Sequence, residues 1–368
     1  MSRSLALIVA AGTGGHLYPG IAVARAIRKK PDWDVLFVVR DGDMGKTLLE
    51  REGWRVESIA GQGMPRGISW KWLTFPFRLM GGVFQSLRLL RRVRPTVVIG
   101  MGGYLSFSAI GMARLLGIRT LIHEQNVLPG LTNRIVARWA DSIAVSFPES
   151  ESYFPSKKVW VSGLPLRAEI VSRDRAEARR AFGLQPTLPT VLVFGGSLGA
   201  HKMNQVALQT WKRLEQERLS FQVLHITGPN DFTEMQSAYK ELSIPVHVLA
   251  YSHDMPSAYA AADVIVCRAG ASTIAELCMV EKPAILVPYP FAAEDHQLFN
   301  AEVLMKRFVA EVILDKDLEP EVLSKRLRPY LQSEEKAHQV AARWKNSDLR
   351  QMHAQAASRV AERATQSV

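Results

Sequence analysis

With 368 residues, 47% of them hydrophobic and 22% charged, the chain is long enough for two ordinary domains with full cores and too apolar for extensive disorder. Cys267 and Cys278 sit in apolar strand and helix patterns, which fits reduced core residues in the cytoplasm and argues against a disulfide framework or a metal site. A formal charge of +11 calls for an anionic partner, whether nucleic acid, anionic lipid or a phosphorylated substrate, and does not choose among them.

From the N-terminus, Arg3 and an apolar run over residues 5–11 lead at once into Gly12-Thr13-Gly14-Gly15-His16. That run is too short and wrongly flanked for a secretory signal, and no apolar stretch approaches the roughly 20 residues that span a bilayer. Residues 5–10 read as a strand, and Pro19 fits the first turn of a helix running to about Lys29. Short strands are predicted over 35–39, 55–59, 96–99, 120–122 and 142–145, with helical patterns between most of them. Val159-Trp160-Val161-Ser162-Gly163-Leu164-Pro165-Leu166-Arg167 is a strand entering a Gly/Pro turn, and the domain boundary is placed there. A second series opens at Thr190, with strands predicted near 190–194, 221–227, 246–251, 263–267, 283–287 and 309–315. Both halves therefore begin with an apolar strand, a glycine-rich turn and a helix. The expected fold is α/β, two Rossmann-like parallel-sheet domains facing a cleft, with ligands beyond the carboxyl ends of the strands. The divisions are 1–162, 163–340 and a helical segment 341–368 that packs back on the first domain.

Residues 64–94 stand apart. Trp70, Trp72, Leu73, Phe75, Phe77, Leu79 and Met80 are interleaved with Arg66, Lys71, Arg78, Arg88, Arg91, Arg92 and Arg94, and no acid lies between Arg66 and Arg94. Three readings stand: a buried apolar face with solvated arginines, an aromatic platform for single-stranded nucleic acid, or a surface for an anionic membrane.

The glycine loops carry the chemistry. Leu17 stands where the dinucleotide fingerprint needs its last glycine, and Gly195-Gly196-Ser197-Leu198-Gly199 misses it too; neither is a Walker loop. Asp41, near the end of the second strand, keeps a dehydrogenase open as a ribose-binding acid. His16 stands where its loop meets a helix, whose positive end favours a neutral imidazole: either a general base towards a hydroxyl or a cap of the turn. His123-Glu124-Gln125-Asn126 is a polar loop at the end of a buried-type strand. At Arg268-Ala269-Gly270-Ala271 a strand turns into a helix beginning at Ser272 or Thr273, the arrangement of an anion site. Glu276 just inside that helix either accepts from the hydroxyls of a ribose or closes a capping box with Thr273. Paired acids at Asp32/Asp34, Asp41/Asp43 and Asp315/Asp317 lie in turn contexts where Asp is expected for backbone reasons, and no metal is inferred.

Gly12-Thr13-Gly14-Gly15-His16 with Pro19-Gly20, Gly102-Gly103-Tyr104, His123-Glu124-Gln125-Asn126, Gly195-Gly196-Ser197, Gly270-Ala271-Ser272-Thr273 with Glu276, and Asp295-His296-Gln297 with Asn300 occur in this order. Together they resemble the MurG family, the N-acetylglucosaminyltransferases of bacterial peptidoglycan synthesis. The resemblance implies a glycosyltransferase B fold and inverting transfer of N-acetylglucosamine from UDP-N-acetylglucosamine to the 4-hydroxyl of undecaprenyl-diphospho-muramoyl-pentapeptide. No cofactor and no nucleic acid are implied. It places the enzyme peripherally on the cytoplasmic face of the bacterial inner membrane, in a pathway serving cell shape and division. By the same resemblance Glu276 binds the ribose, Ala271, Ser272, Thr273 and Ser197 hold the diphosphate, and the loop at Ser252 packs by the uracil. Gln297 reads the sugar and Arg167 contributes from the turn between the halves. Thr13, Gly14, Gly15, His16, Tyr104, Glu124 and Asn126 face the lipid-linked acceptor and the transferred sugar, with His16 the preferred base. Trp70, Trp72, Leu73, Phe75 and Phe77 face the membrane. Leu164 and Leu198 depart from the pattern, which often has Asn and Gln there. A UDP-sugar 2-epimerase or a glycolipid transferase of the same fold is the nearest alternative; a dehydrogenase and a nucleic-acid-binding protein are the distant ones.

Overall fold

In both halves of the chain, short runs of β-branched and aliphatic residues end at glycine- or proline-containing turns, and each run becomes a strand of an all-parallel sheet. The computed structural model describes residues 3–10, 14–59, 71–171, 173–333 and 335–366, the side chains of 44, 71–79 and 293 excepted. The chain divides into two compact units, Met1–Arg167 with Gln351–Val368, and Ala168–Arg350. The sequence reading drew these lines at 162/163 and 340/341.

The first unit runs β1 (Ser4–Val9), α1 (Gly14–Arg28), β2 (Trp33–Arg40), α2 (Met44–Arg51), β3 (Arg55–Ile59), α3 (Lys71–Val93) and β4 (Val97–Gly100). It continues with α4 (Tyr104–Leu115), β5 (Arg119–Glu124), α5 (Leu131–Val136), β6 (Ser142–Val145) and β7 (Val159–Val161). The second unit contains α6 (Arg175–Ala181), β8 (Thr190–Phe194), α7 (His201–Gln216), β9 (Gln222–Ile226), α8 (Phe232–Ala238), β10 (Val246–Leu249) and α9 (Met255–Ala261). After these come β11 (Val264–Cys267), α10 (Ala271–Val280), β12 (Ala284–Leu286), α11 (His296–Lys306), β13 (Ala310–Val312), α12 (Pro320–Gln332) and α13 (Glu335–Lys345). Two last helices, α14 (Leu349–Ala354) and α15 (Ala356–Thr365), follow, so the expected terminal helix is broken into three pieces.

Sheet order is β3-β2-β1-β4-β5-β6-β7 in the first unit and β10-β9-β8-β11-β12-β13 in the second, every pairing parallel. Counted from its own first strand, each sheet thus contains the order 3-2-1-4-5-6 of a doubly wound nucleotide fold. The inner strands β4, β8, β11 and β12 are apolar or nearly so without alternation because both faces are covered, whereas the edge strand β3 carries Arg55, Glu57 and Ser58. In β1 and just beyond, Ala6, Ile8 and Ala10 enter one core while Leu7 and Val9 enter the other. Val360, Ala361 and Ala364 of α15 complete the first of these cores beside Ile21, Val23 and Ala24 of α1. Each such aliphatic side chain contributes about 1.5–3 kcal/mol on full burial, so the C-terminal helix is an integral part of the first unit.

The second unit is tied at its base by a charge cluster. Asp263, just before β11, accepts from Arg179 at 2.6 Å, from Arg175 at 2.7 Å and from the Thr190 amide at 2.7 Å. Burial lowers the affinity of Arg179 for its proton, and Asp263 opposes that effect. Cys267 and Cys278 are free and buried, and burial pushes both thiols up. Among the described residues, no helix is long and apolar enough to cross a membrane.

Candidate active site

In a doubly wound sheet the crevice opens where strand order reverses, beyond the carboxyl ends of the first and fourth strands. Here those ends belong to β1 and β4 in the first unit and to β8 and β11 in the second. Every glycine-rich motif singled out from the sequence follows one of these four strands.

In the first unit β1 feeds α1, whose first turn carries Gly14, Gly15 and His16; Thr13 lies outside the described residues. His16 is half-buried, with its Nδ1 3.2 Å from Gln125 Oε1. Gln125 Nε2 donates to the Met101 carbonyl at 2.9 Å and faces His123 Nδ1 at 3.3 Å. His123 Nε2 lies 3.1 Å from the Gly163 carbonyl. Burial depresses His123 to about 4, so its ring is neutral in the fold. Gly102 takes φ +93°, and a Cβ there would stand 3.0 Å from His16 Cε1, so a side chain at this position would crowd the edge of the ring.

Tyr104 opens α4 half-buried; burial raises its phenol above the ordinary value, against the effect of Arg40, with Asp43 also facing it. Glu124 is 2% exposed at the end of β5. Its Oε1 accepts from the Asn126 amide at 2.9 Å and from Asn126 Nδ2 at 3.3 Å, and its Oε2 from Gly130 N at 3.1 Å and Asn133 Nδ2 at 2.8 Å. Burial nevertheless raises its pKa. Glu124 thus braces the loop that carries Asn126, which is half-buried. Arg167 stacks on the Tyr18 ring of α1, its Cζ 4.5 Å from the centroid, within the first unit.

In the second unit α10 begins at Ala271, one residue before the earliest expected start, after Gly270 in extended conformation with no side-chain cap. Thr273 is therefore inside the helix and the capping box does not form; Glu276, in the second turn, accepts from Tyr259 at 2.7 Å. The Ser272 hydroxyl is buried at the open helix end with no partner among the described residues. Gln297 Oε1 accepts from the Ala269 amide at 3.1 Å and the Tyr289 amide at 3.0 Å. Two donors on the oxygen fix the amide orientation. Glu294 and Asp295, immediately before α11, are both left-handed at φ 51° and 54°, a strain of about 1–3 kcal/mol each that the loop tolerates while delivering Gln297. Arg268 ties the end of β11 to Asp315 at 2.6 Å and to the Val287 and Pro288 carbonyls at 3.2 Å.

Ser197 is exposed in the loop after β8. Gly199 there takes φ +80° against the Thr227 carbonyl, where any side chain would collide with backbone. Ser252 points inward, 8% exposed, and accepts from the Asp254 amide at 3.2 Å, whereas its neighbour Tyr251 is 43% exposed. Exposed apolar groups recur in the loops after the second unit's strands, Leu198 at 77%, Tyr289 at 44% and Phe291 at 80%. Leu164, the other departure, is fully buried.

Residues 6–145 match the glycosyltransferase family 28 N-terminal domain and residues 190–359 the corresponding C-terminal domain. A UDP-N-acetylglucosamine--N-acetylmuramyl-(pentapeptide) pyrophosphoryl-undecaprenol N-acetylglucosamine transferase of Desulforudis audaxviator is 40% identical, covering 83% of each chain. The enzyme of the same name from Citrifermentans bemidjiense is 39% identical over 82% of this chain and 83% of its own. The crystal structure of Acinetobacter baumannii MurG superposes with a TM-score of 0.76 at 28% identity, covering 98% of this chain and 99% of that one. The chain belongs to the MurG family. It is a glycosyltransferase of family 28, built on the glycosyltransferase B fold. A UDP-N-acetylglucosamine 2-epimerase also superposes, with a TM-score of 0.65 at 12% identity, and that likeness concerns the fold alone.

Several family-motif residues acquire contacts that sequence reading left unassigned. Gln125 and His123 lie between His16 and Gly163, and Tyr259 holds Glu276. The first pair was legible as part of a polar quartet; Tyr259 gave no signal, since its place on α9 shows only in three dimensions. Trp70 lies outside the described residues. Trp72, Leu73, Phe75 and Phe77 fall in α3, with side chains outside the described set.

Proposed function

We propose that this chain transfers N-acetylglucosamine from UDP-N-acetylglucosamine to the 4-hydroxyl of undecaprenyl-diphospho-muramoyl-pentapeptide, inverting the anomeric centre. The observation that carries the reading is that both strand-order reversals of a MurG-family chain bear the family's motif residues, one with a base-bearing loop and one with an open helix end.

The acceptor half belongs to the first unit. His16 takes the proton of the 4-hydroxyl as its oxygen attacks the anomeric carbon, a role suited to a neutral imidazole on a helix start. Gly14, Gly15, Tyr104 and Asn126 line the acceptor and the transferred sugar, and Glu124 acts by holding Asn126. The bond between the anomeric carbon and the diphosphate oxygen breaks, and UDP departs with the charge. In the second unit the amides of Ala271, Ser272 and Thr273, with the Ser272 hydroxyl, stabilise that charge, because a helix N-terminus presents unpaired donors and a positive dipole end. Glu276, steadied by Tyr259, accepts from the ribose hydroxyls. With its oxygen occupied by two backbone amides, Gln297 reads the sugar through its amide nitrogen. Ser197 adds to the diphosphate, and Arg167, stacked on Tyr18 in the first unit, contributes from the turn between the halves. The backbone at Ser252 and the exposed Tyr251 frame the uracil, in place of the inward-turned Ser252 hydroxyl.

Peripheral binding to an anionic membrane follows from the same substrate. Met80 and Phe84, one turn apart on α3, are 69% and 66% exposed, and Arg88, Arg91 and Arg92 are exposed further along the helix. Apolar groups beside cations fit a headgroup layer, where each basic residue adds about 1 kcal/mol. Joint replacement of Trp70, Trp72 and Phe75 by Ser is expected to release the enzyme from anionic vesicles and spare turnover of a soluble acceptor analogue; unchanged vesicle binding would sink the membrane reading. The deciding assay for the reaction is transfer of labelled sugar from UDP-N-acetylglucosamine to the lipid-linked acceptor, with UDP-glucose as control. A β-linked disaccharide product is expected, and its absence would overturn the proposal.

A further inference from the structure

Gln125 sits between two histidines, and its hydrogen bonds admit one arrangement of protons. The Met101 carbonyl, 2.9 Å away, only accepts, so the atom of Gln125 facing it is the amide nitrogen. The far end of the chain of contacts agrees. The Gly163 carbonyl also only accepts, so the single ring proton of neutral His123 lies on Nε2, and His123 Nδ1 carries a lone pair towards Gln125. Turning the amide over would set two carbonyl oxygens 2.9 Å apart with no proton between them and would leave His123 Nδ1 facing an oxygen. With the nitrogen so committed, Gln125 Oε1 faces His16 Nδ1 at 3.2 Å, and Nδ1 must donate. A neutral imidazole protonated on Nδ1 carries its lone pair on Nε2. Gly102 leaves room for the ring in that pose, since a Cβ there would stand 3.0 Å from Cε1 and 3.2 Å from Nδ1.

We propose that Gln125 is a positioning residue that selects the Nδ1-protonated tautomer of His16 and so makes Nε2 the proton-accepting atom of the transfer. The inference rests on the reading of His16 as base and deepens it. The neutral histidine side chain in water prefers the opposite tautomer, with the proton on Nε2, so a base at Nε2 needs a fixed acceptor at Nδ1. Two carbonyls, Met101 and Gly163, thereby dictate the proton position on His16 through Gln125.

The test uses the full-length enzyme carrying ¹⁵N-labelled histidine, with His16 assigned by its loss in His16→Ala. The nitrogen spectrum of the wild-type protein at neutral pH is expected to show His16 protonated on Nδ1. Gln125→Leu is expected to move the proton to Nε2 and to lower kcat on the order of 10²-fold with the KM for UDP-N-acetylglucosamine unchanged. Gln125→Glu, buried and carrying its acid proton on the oxygen that faces the Met101 carbonyl, keeps an acceptor against Nδ1 and is expected to restore the wild-type tautomer and part of the turnover. A wild-type ring protonated on Nε2, or a Gln125→Leu ring still protonated on Nδ1, would overturn the assignment. Full turnover by His16→Ala would overturn the base reading instead, and the wild-type spectrum would still decide the tautomer.

Discussion

The two units share a strand order and a reversal point yet equip that point in opposite ways. In the first, the crevice end of β1 and β4 is furnished with side chains: His16, Gln125 and His123 in a line, and Glu124 gathering four donors. In the second, the equivalent end of β8 and β11 is furnished with backbone: the unpaired amides of α10 after an uncapped Gly270, and Gln297 held by two more amides. Side chains with titratable nitrogens place and move a proton, whereas backbone donors stabilise a charge without titrating. On the proposed reading, one topology used twice yields a proton-handling half and an anion-handling half, and the division comes from the residues that follow each strand.

The comparison breaks most sharply in kinetics. His16→Ala is expected to lower kcat by roughly 10²–10⁴-fold while leaving affinity for UDP in place. Glu276→Gln should do the reverse, weakening UDP by about 10-fold or more, the worth of a hydrogen bond to a charged group, with kcat at saturating donor nearly kept. Steady-state kinetics beside calorimetric UDP titration separate the two. Loss of nucleotide affinity in the His16 variant, or of kcat alone in the Glu276 variant, would erase the division of labour.

Acid provides the next contrast, because buried imidazoles occur in both units. Burial lowers His123 to about 4 and His353 to about 3 in the first unit, and His225 to about 3 in the second. Each is neutral in the fold, while the unfolded chain takes up protons below the ordinary value of 6.5. The unfolded state thus binds more protons, and stability falls as pH drops from about 6.5 through about 4, by on the order of 3 kcal/mol for His123 once fully lost. Thermal unfolding followed between pH 7 and pH 4 is expected to show a falling midpoint. A flat profile would show that water reaches these rings.

How much of this was readable in advance follows from which forces are local. The predicted strand over 142–145 coincides with β6, because a strand buried on both faces is a short run of apolar residues between turn formers, and that over 55–59 coincides with β3, an edge strand with Arg55 exposed and only Ile59 buried. The placement of His16, Glu276 and Gln297 by motif was legible for the same reason, since a turn after a strand needs small residues in a fixed order. The start of α10 was not: Thr273 and Glu276 have capping-box spacing, but extended Gly270 begins the helix earlier and Tyr259, 17 residues away in sequence, engages the carboxylate. The Arg179–Asp263 pair and the Gln125 contacts join residues far apart in the chain or fixed by carbonyls, and such pairs leave no periodic trace. Ser252 shows the limit in miniature: the loop was placed by resemblance, and the direction of one hydroxyl was not.

That loop gives the smallest expected effect. Ser252 is 8% exposed and its oxygen accepts from the Asp254 amide, while Asp254 caps α9 by accepting from Ser257 N at 3.2 Å. Ser252→Ala removes a turn hydrogen bond and is expected to cost about 1 kcal/mol of stability, leaving UDP affinity unchanged. Tyr251→Ala removes an exposed ring, packed at 4.8 Å between centroids against His253, and is expected to weaken UDP severalfold without altering stability. Parallel melting curves and UDP titrations of the two variants check this. If Ser252→Ala lowers nucleotide affinity more than Tyr251→Ala does, the hydroxyl turns outward when the nucleotide binds, and the loop belongs with the side-chain chemistry of the first unit, not the backbone chemistry of the second.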